Sequence, residues 1–167
     1  MTNPAPNWTR IRRHYAAYQH AILSAPANVW AIDPYAWDHE AGIFLTPIEV
    51  GLWHDIRSEG AVMYPQYPVG PYFVDFASPV AKVAIECDGA AWHVGNEERD
   101  GIRQARIEAL GWEVHRITGR ECLKDFEEQI DPETGRSTWI AGSARTLIRD
   151  ECRRHGISTL DVVGGAE

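Results

Sequence analysis

Apolar residues recur at helical spacing over residues 8–24, where Ile11, Tyr15, Tyr18 and Ile22 form one stripe, and Pro26 ends the run. A Trp- and Pro-bearing connector follows from Ala25 to Phe44, with Trp30, Tyr35 and Trp37 expected as loop anchors. A second helix is predicted to open at Thr46-Pro47-Ile48-Glu49: Thr46 suits an N-cap, Pro47 the first helical position, and Glu49 completes a capping box. Its stripe is Ile48, Leu52, Trp53 and Ile56, and Gly60 stops it. The period then changes, and residues 61–67, 72–77 and 80–87 read as strands, with Ala77-Ser78-Pro79 as a tight hairpin. Helix returns over 96–110, with Ile102, Ala105, Ala109 and Leu110 as apolar positions and Gly111 as its stop. Residues 112–117 alternate as a strand, a short helix begins near Arg120, and 137–154 read as a final amphipathic helix. The order α-α-β-β-β-α-β-α describes an α/β or α+β domain with a mixed sheet.

Composition changes little in that picture. A chain of 167 residues, 44% hydrophobic and 24% charged, is expected to be one domain spanning 1–167, without disorder or a membrane span. Within it, 1–44 is an N-terminal helix and connector, 45–122 the core, and 123–167 a C-terminal helical extension. No basic segment followed by an apolar one opens the chain, so the expected compartment is cytoplasmic. Cys87, Cys122 and Cys152 form no C-x-x-C pair and are expected as thiols. Charge matters more, because a net −8 opposes phosphate binding. Basic residues nevertheless cluster in Arg10-Ile-Arg12-Arg13-His14 and at Arg99, Arg103 and Arg106, a helix stripe that suits phosphates or a solvated face.

The chemistry concentrates between Tyr72 and Asp100. Asp75 stands among Phe73, Val74 and Phe76, and an unpartnered acid buried there would cost several kcal/mol, on the order given for buried charges. On the following strand Glu86 and Asp88 flank Cys87 and therefore share a face. Three acids at the end of paired strands repel one another unless a cation lies between them. Oxygen ligation of a hard ion such as Mg²⁺, with Mn²⁺ able to substitute, relieves that repulsion and makes Asp75, Glu86 and Asp88 candidate metal ligands. His93, five positions beyond Asp88, is placed to orient or deprotonate a water, or to protonate a leaving group. Asp100 is placed to hold the His93 imidazole or to bind metal itself; it also suits the first turn of a helix by its charge alone. Trp92, beside His93, is a candidate for base or sugar contact.

These residues resemble the PD-(D/E)XK, restriction-endonuclease-like nucleases, and within them a bacterial family related to very-short-patch-repair endonucleases. The resemblance rests on Thr46-Pro47-x-Glu49-x-x-Leu52-Trp53, Gln66 before Gly70-Pro71-Tyr72-x-x-Asp75-Phe76, Glu86-x-Asp88-Gly89 with His93, Asp100-x-x-Arg103, and Gly111-Trp112-x-Val114-x-Arg116. It covers residues 45–122 and implies a four-stranded mixed sheet flanked by helices; the helices read at 8–24 and 137–154 are extra elements at the two ends. It also implies Asp75 as central metal ligand, Glu86 as second acid, the Cys87 carbonyl as a further ligand, and Gln66 among the nucleic-acid contacts. By analogy with related homing endonucleases, Glu49, Asp75, His93 and Asp100 form a catalytic set. One departure is plain: Asp88 stands where the lysine of the superfamily's name belongs, so activation of water passes to His93 or the metal. The expected activity is Mg²⁺-dependent endonucleolytic hydrolysis of DNA, RNA being the lesser substrate. A homodimer or a partner protein would supply the DNA affinity that the charge withholds. Two alternatives stay open: a catalytically silent nucleic-acid-binding or assembly domain, and a toxin or mobile-element nuclease.

Overall fold

The computed structural model describes residues 5–34, 41–89 and 95–158. Among the described residues, five helices and six strands run in the order α1 (Trp8–Ser24), α2 (Pro47–Ser58), β1 (Tyr64–Val69), β2 (Tyr72–Ser78), β3 (Val83–Asp88), α3 (Glu97–Ala109), β4 (Glu113–Thr118), α4 (Gly119–Cys122), β5 (Phe126–Ile130), β6 (Ser137–Ala141) and α5 (Ser143–Arg154). Strands β1 to β4 form one sheet in sequence order, antiparallel from β1 through β3 and parallel between β3 and β4. The antiparallel pairs need only short turns, whereas the parallel pair needs a crossover, which α3 provides. The architecture is thus a four-stranded mixed sheet flanked by helices, as expected.

Local chemistry accounts for most boundaries. The capping box of α2 is present: the Thr46 backbone N–H donates to the Glu49 carboxylate at 2.7 Å, and the Thr46 hydroxyl accepts from the Glu49 N–H. Gly60 and Gly111 end their helices at φ +64° and +86°, the left-handed conformation that a side chain resists.

In register, Phe76, Ile85 and His115 lie side by side on one face of the sheet, while Glu86 and Arg116 lie together on the other. Helix α2 covers the first face, its Trp53 ring stacked on Phe76 at 5.7 Å and nearly parallel. Trp30 packs edge-on against Trp53 and Tyr64, which anchors the connector as the sequence suggests; Tyr35 and Trp37 lie outside the described residues. Phe76 is fully buried, so Phe76→Ala is expected to cost about 3–5 kcal/mol. Urea unfolding checks this, and a loss under 1 kcal/mol would mean the Trp53–Phe76 stack is not central to the core.

Four expectations are corrected. The first strand begins at Tyr64; residues 61–63 are buried, and Ala61 pairs with Ser158 in an isolated antiparallel bridge instead of with β2. Lys82 lies not within a strand but in the turn before β3, at φ +55°, where its ammonium donates to the Leu110 carbonyl. Helix α3 buries Ile107 and half-buries Arg103, leaving Ile102 and Leu110 exposed. An inward-facing arginine displaces the apolar stripe because a buried acid on the sheet requires it, as the site shows. Finally, residues 137–141 are a strand: β5 and β6 form an exposed antiparallel hairpin, and α5 starts only at Ser143. Its turn is organised by the Asp131 carboxylate, which accepts the backbone N–H groups of Glu133 and Thr134. The C-terminal extension is therefore not all helical.

Candidate active site

The strand ends converge on an open cleft of about 330 Å³ lined by Asp75, Glu86, Cys87, Asp88, Gly89, Asp100, Arg103 and Arg116. Asp75, Glu86 and Asp88, predicted from strand alternation, thus meet in one place, and Asp100 joins them from the first turn of α3.

Asp75 sits where the β2–β3 ladder ends. The last ladder pair is Phe76 with Ile85, and beyond it the Asp75 carboxylate itself accepts the Cys87 backbone N–H at 2.7 Å. Burial pushes the Asp75 pKa up to about 7, and the charges of Glu49 and Glu86 add to the rise; the Cys87 N–H and Arg103 oppose it. A carboxylate held in this way gains by receiving a cation. Glu49 is close enough for its charge to act on Asp75 while its side chain serves the capping box.

Glu86 is buried and already neutralised. Arg103 donates to both its oxygens, at 2.6 and 3.0 Å, and to the Phe73 carbonyl at 2.6 Å. Arg116, its register partner on β4, reaches Glu86 at 3.8 Å and Asp88 at 3.5 Å. Arg116 was missed by sequence reasoning as a site residue. The alternation of β4 places it on the Glu86 face, but only the parallel register decides that it stands opposite Glu86. The positive charge that Asp88 removes from the motif thus returns from a neighbouring strand. Among the described residues, the cleft carboxylates do not bring three donor atoms within 4.8 Å of one another. The donors are nonetheless all oxygens, and with the unfavourable burial of Asp75 they fit a hard divalent ion once Glu86 is released from Arg103.

The other predicted residues are placed as follows. Arg103 points into the cleft rather than along an exposed stripe, Arg106 donates to the Tyr72 hydroxyl, and Arg99 is exposed in the first turn of α3. Gln66 is buried at φ +49°, opposite Asp75 at the one position between Pro65–Phe76 and Tyr67–Val74 that the β1–β2 ladder leaves unpaired, and its amide bonds both the N–H and the carbonyl of Phe44. Its polar atoms are therefore spent on fastening the segment before α2. Trp92 and His93 lie outside the described residues. Next to the cleft, Trp8, Arg12 and Arg13 of α1 and Phe73 line a shallow depression. The Trp8 and Phe73 rings lie 4.6 Å apart, and the Arg12 guanidinium sits 4.7 Å over Phe73. This aromatic and basic surface was not expected, because only the fold sets α1 against the strand that carries Asp75.

Residues 49–132, about half of the chain, match the restriction-endonuclease-like family REase_MTES_1575. The chain belongs to this family. The matched segment runs from Glu49 to Pro132, so every cleft residue falls inside it, whereas α1 and α5 fall outside. Relatives of this REase_MTES_1575 chain include an uncharacterized protein of Haemophilus influenzae, 33% identical over 90 residues, which cover 52% of this chain and 57% of that one. Another is the uncharacterized protein YcjD of Escherichia coli, 36% identical over 80 residues, covering 46% of this chain and 68% of that one. The chain therefore spans little more than half of the first of these relatives. Among solved structures, the catalytic domain of the homing endonuclease I-Bth0305I matches with a TM-score of 0.41 and 23% identity, over 46% of this chain and 80% of that one.

Proposed function

We propose that this protein is a divalent-metal-dependent endonuclease that hydrolyses phosphodiester bonds in DNA at the Asp75 cleft. The observation that carries the reading is Asp75, a half-buried carboxylate crowded by other acids at the mouth of an open cleft. Membership of a restriction-endonuclease-like family supports it. In this reading Asp75 and Glu86 hold Mg²⁺, with Asp88 and the Cys87 carbonyl beside them. Bound there, the ion would acidify a coordinated water and polarise the phosphoryl oxygen. Arg103 and Arg116 supply what the missing lysine would have brought: as a phosphate enters, their guanidinium groups turn from Glu86 and Asp88 to its oxygens. His93 is assigned to the attacking water or the leaving group, and Asp100 to holding its imidazole. Arg12 and Arg13, with Trp8 and Phe73, offer phosphate and stacking contacts for the approaching strand.

The test is supercoiled plasmid incubated with Mg²⁺ or Mn²⁺ beside EDTA and Asp75→Ala controls. Metal-dependent nicking or linearisation, absent in the variant, is expected; no cleavage with any divalent ion, or equal cleavage by the variant, sinks the proposal. One observation favours a second reading, a silent DNA-docking domain: Arg103 and Arg116 already neutralise Glu86 and Asp88. DNA binding without cleavage, unaffected by Asp75→Ala, would establish it instead.

A further inference from the structure

At the other end of β4, on the opposite face of the sheet, a second group of ligating side chains comes together. Strand β4 opens Glu113-Val114-His115, which puts Glu113 and His115 on one face by alternation. Helix α5 carries Glu151, with His155 four positions on at its C-cap, and so offers both on one side. Donor atoms of Glu113, Glu151 and His155 lie within 4.8 Å of one another. The His115 Nε2 is 2.8 Å from a Glu113 oxygen and 3.3 Å from a Glu151 oxygen; the His155 Nε2 is 3.2 Å and 3.8 Å from oxygens of the same two carboxylates.

We propose that Glu113, Glu151, His155 and His115 form a structural site for a borderline transition-metal ion of the Zn²⁺ class. Three observations converge on it. The donor set mixes imidazole with carboxylate, which suits Zn²⁺ and its neighbours and not Mg²⁺. Tetrahedral Zn²⁺ with bonds near 2.0–2.1 Å sets its ligand atoms about 3.3 Å apart; Glu113, Glu151 and His155 offer donor atoms within 4.8 Å of one another, and His115, outside that group, stands 2.8 and 3.3 Å from oxygens of the two carboxylates. Both Nε2 atoms are sealed from solvent and face the two carboxylates, His115 at hydrogen-bonding distance from Glu113.

The Arg154 guanidinium bridges Glu113 and Glu151 and is the natural competitor. Its side chain is 57% exposed, so it can leave for solvent when an ion enters. The ion would pin the end of α5 to the start of β4. Glu113 and His115 face the side of the sheet opposite Glu86 and Arg116, so the sheet lies between this ion and the Asp75 cleft.

The experiment uses the full chain stripped with chelator, then titrated with Zn²⁺ or Co²⁺ in excess Mg²⁺, and read by calorimetry, visible absorption and thermal unfolding. One equivalent bound per chain is expected, with Co²⁺ bands of low coordination number. The unfolding temperature should rise by about 5–10 °C at a hundredfold excess over Kd. These signals should persist in Asp75→Ala, weaken at least tenfold in His155→Ala and in Glu151→Gln, and strengthen in Arg154→Ala, where the competitor is gone. Two variants on different residues guard against misfolding of either, and circular dichroism of the stripped proteins checks each. The proposal is overturned if neither the natural chain nor Arg154→Ala binds Zn²⁺ or Co²⁺. It is equally overturned if binding is undiminished in both His155→Ala and Glu151→Gln. A fall in stability of Arg154→Ala with no metal response would identify the cluster as an ion-pair network.

Discussion

Asp75→Asn is expected to make the metal-free protein more stable at pH 8, by about 1–3 kcal/mol, while removing the proposed cleavage activity. The sign follows from the Asp75 pKa, raised from 3.8 to about 7 by burial and by Glu49 and Glu86. Between pH 4 and pH 7 the folded protein keeps a proton that the unfolded chain has released, so folding becomes less favourable as pH rises through that window. Above pH 7 both states are ionised and the full cost stands. Asparagine removes the charge yet keeps an oxygen for the Cys87 N–H. Asp55, buried near Arg145 and raised to about 6 with burial as the main cause, pulls the pH profile in the same direction. The decisive comparison is therefore between the natural chain and Asp75→Asn in EDTA, by urea unfolding at pH 5 and pH 8. The variant should gain at pH 8 and gain little at pH 5. Equal stability at both pH values would show that Asp75 carries no electrostatic strain, and would remove the physical reason for placing a cation beside it. Mg²⁺ should also stabilise the natural chain more at pH 8 than at pH 5, since only the ionised carboxylate attracts it.

Arg103→Ala works in the opposite direction and is expected to cost about 3–5 kcal/mol, the usual range when one partner of a buried ion pair is removed. Glu86 is only 6% exposed, and loss of Arg103 leaves it with Arg116 at 3.8 Å. The Phe73 carbonyl also loses its donor. For a protein of this size the unfolding temperature should fall by roughly 10 °C or more. Glu86→Gln in the same chain should restore part of the loss, because it removes the stranded charge. A double-mutant cycle measures the coupling, expected to exceed 1.5 kcal/mol for a desolvated pair of this kind. A loss below about 1 kcal/mol would mean that the pair behaves as a surface salt bridge, with Glu86 free to serve a metal without displacing an arginine.

The sequence by itself determined the helices with strong local punctuation and the strands that carry acids. Thr46-Pro47-x-Glu49 places α2 almost to the residue, because the capping box is formed among residues three apart and needs nothing else. The alternation Glu86-Cys87-Asp88 puts both acids on one face for the same local reason, and the short turn before β3 makes Asp75 their neighbour. The β5–β6 hairpin was not legible: its strands are largely exposed on both faces, so the hydrophobic alternation that marks a half-buried strand is weak, and its tail merges with the pattern of α5. Only the tertiary structure decided what the charges do. Arg103 reads as one of three surface arginines on a helix, and Arg116 as one residue of a strand. The crossover through α3 and the parallel β3–β4 register bring both onto Glu86. Glu113, His115, Glu151 and His155 likewise meet only because α5 returns to the start of β4. Short-range hydrogen bonding and side-chain alternation are written in neighbouring residues, whereas the pairing of a buried charge depends on chain segments that approach one another only after the core has formed.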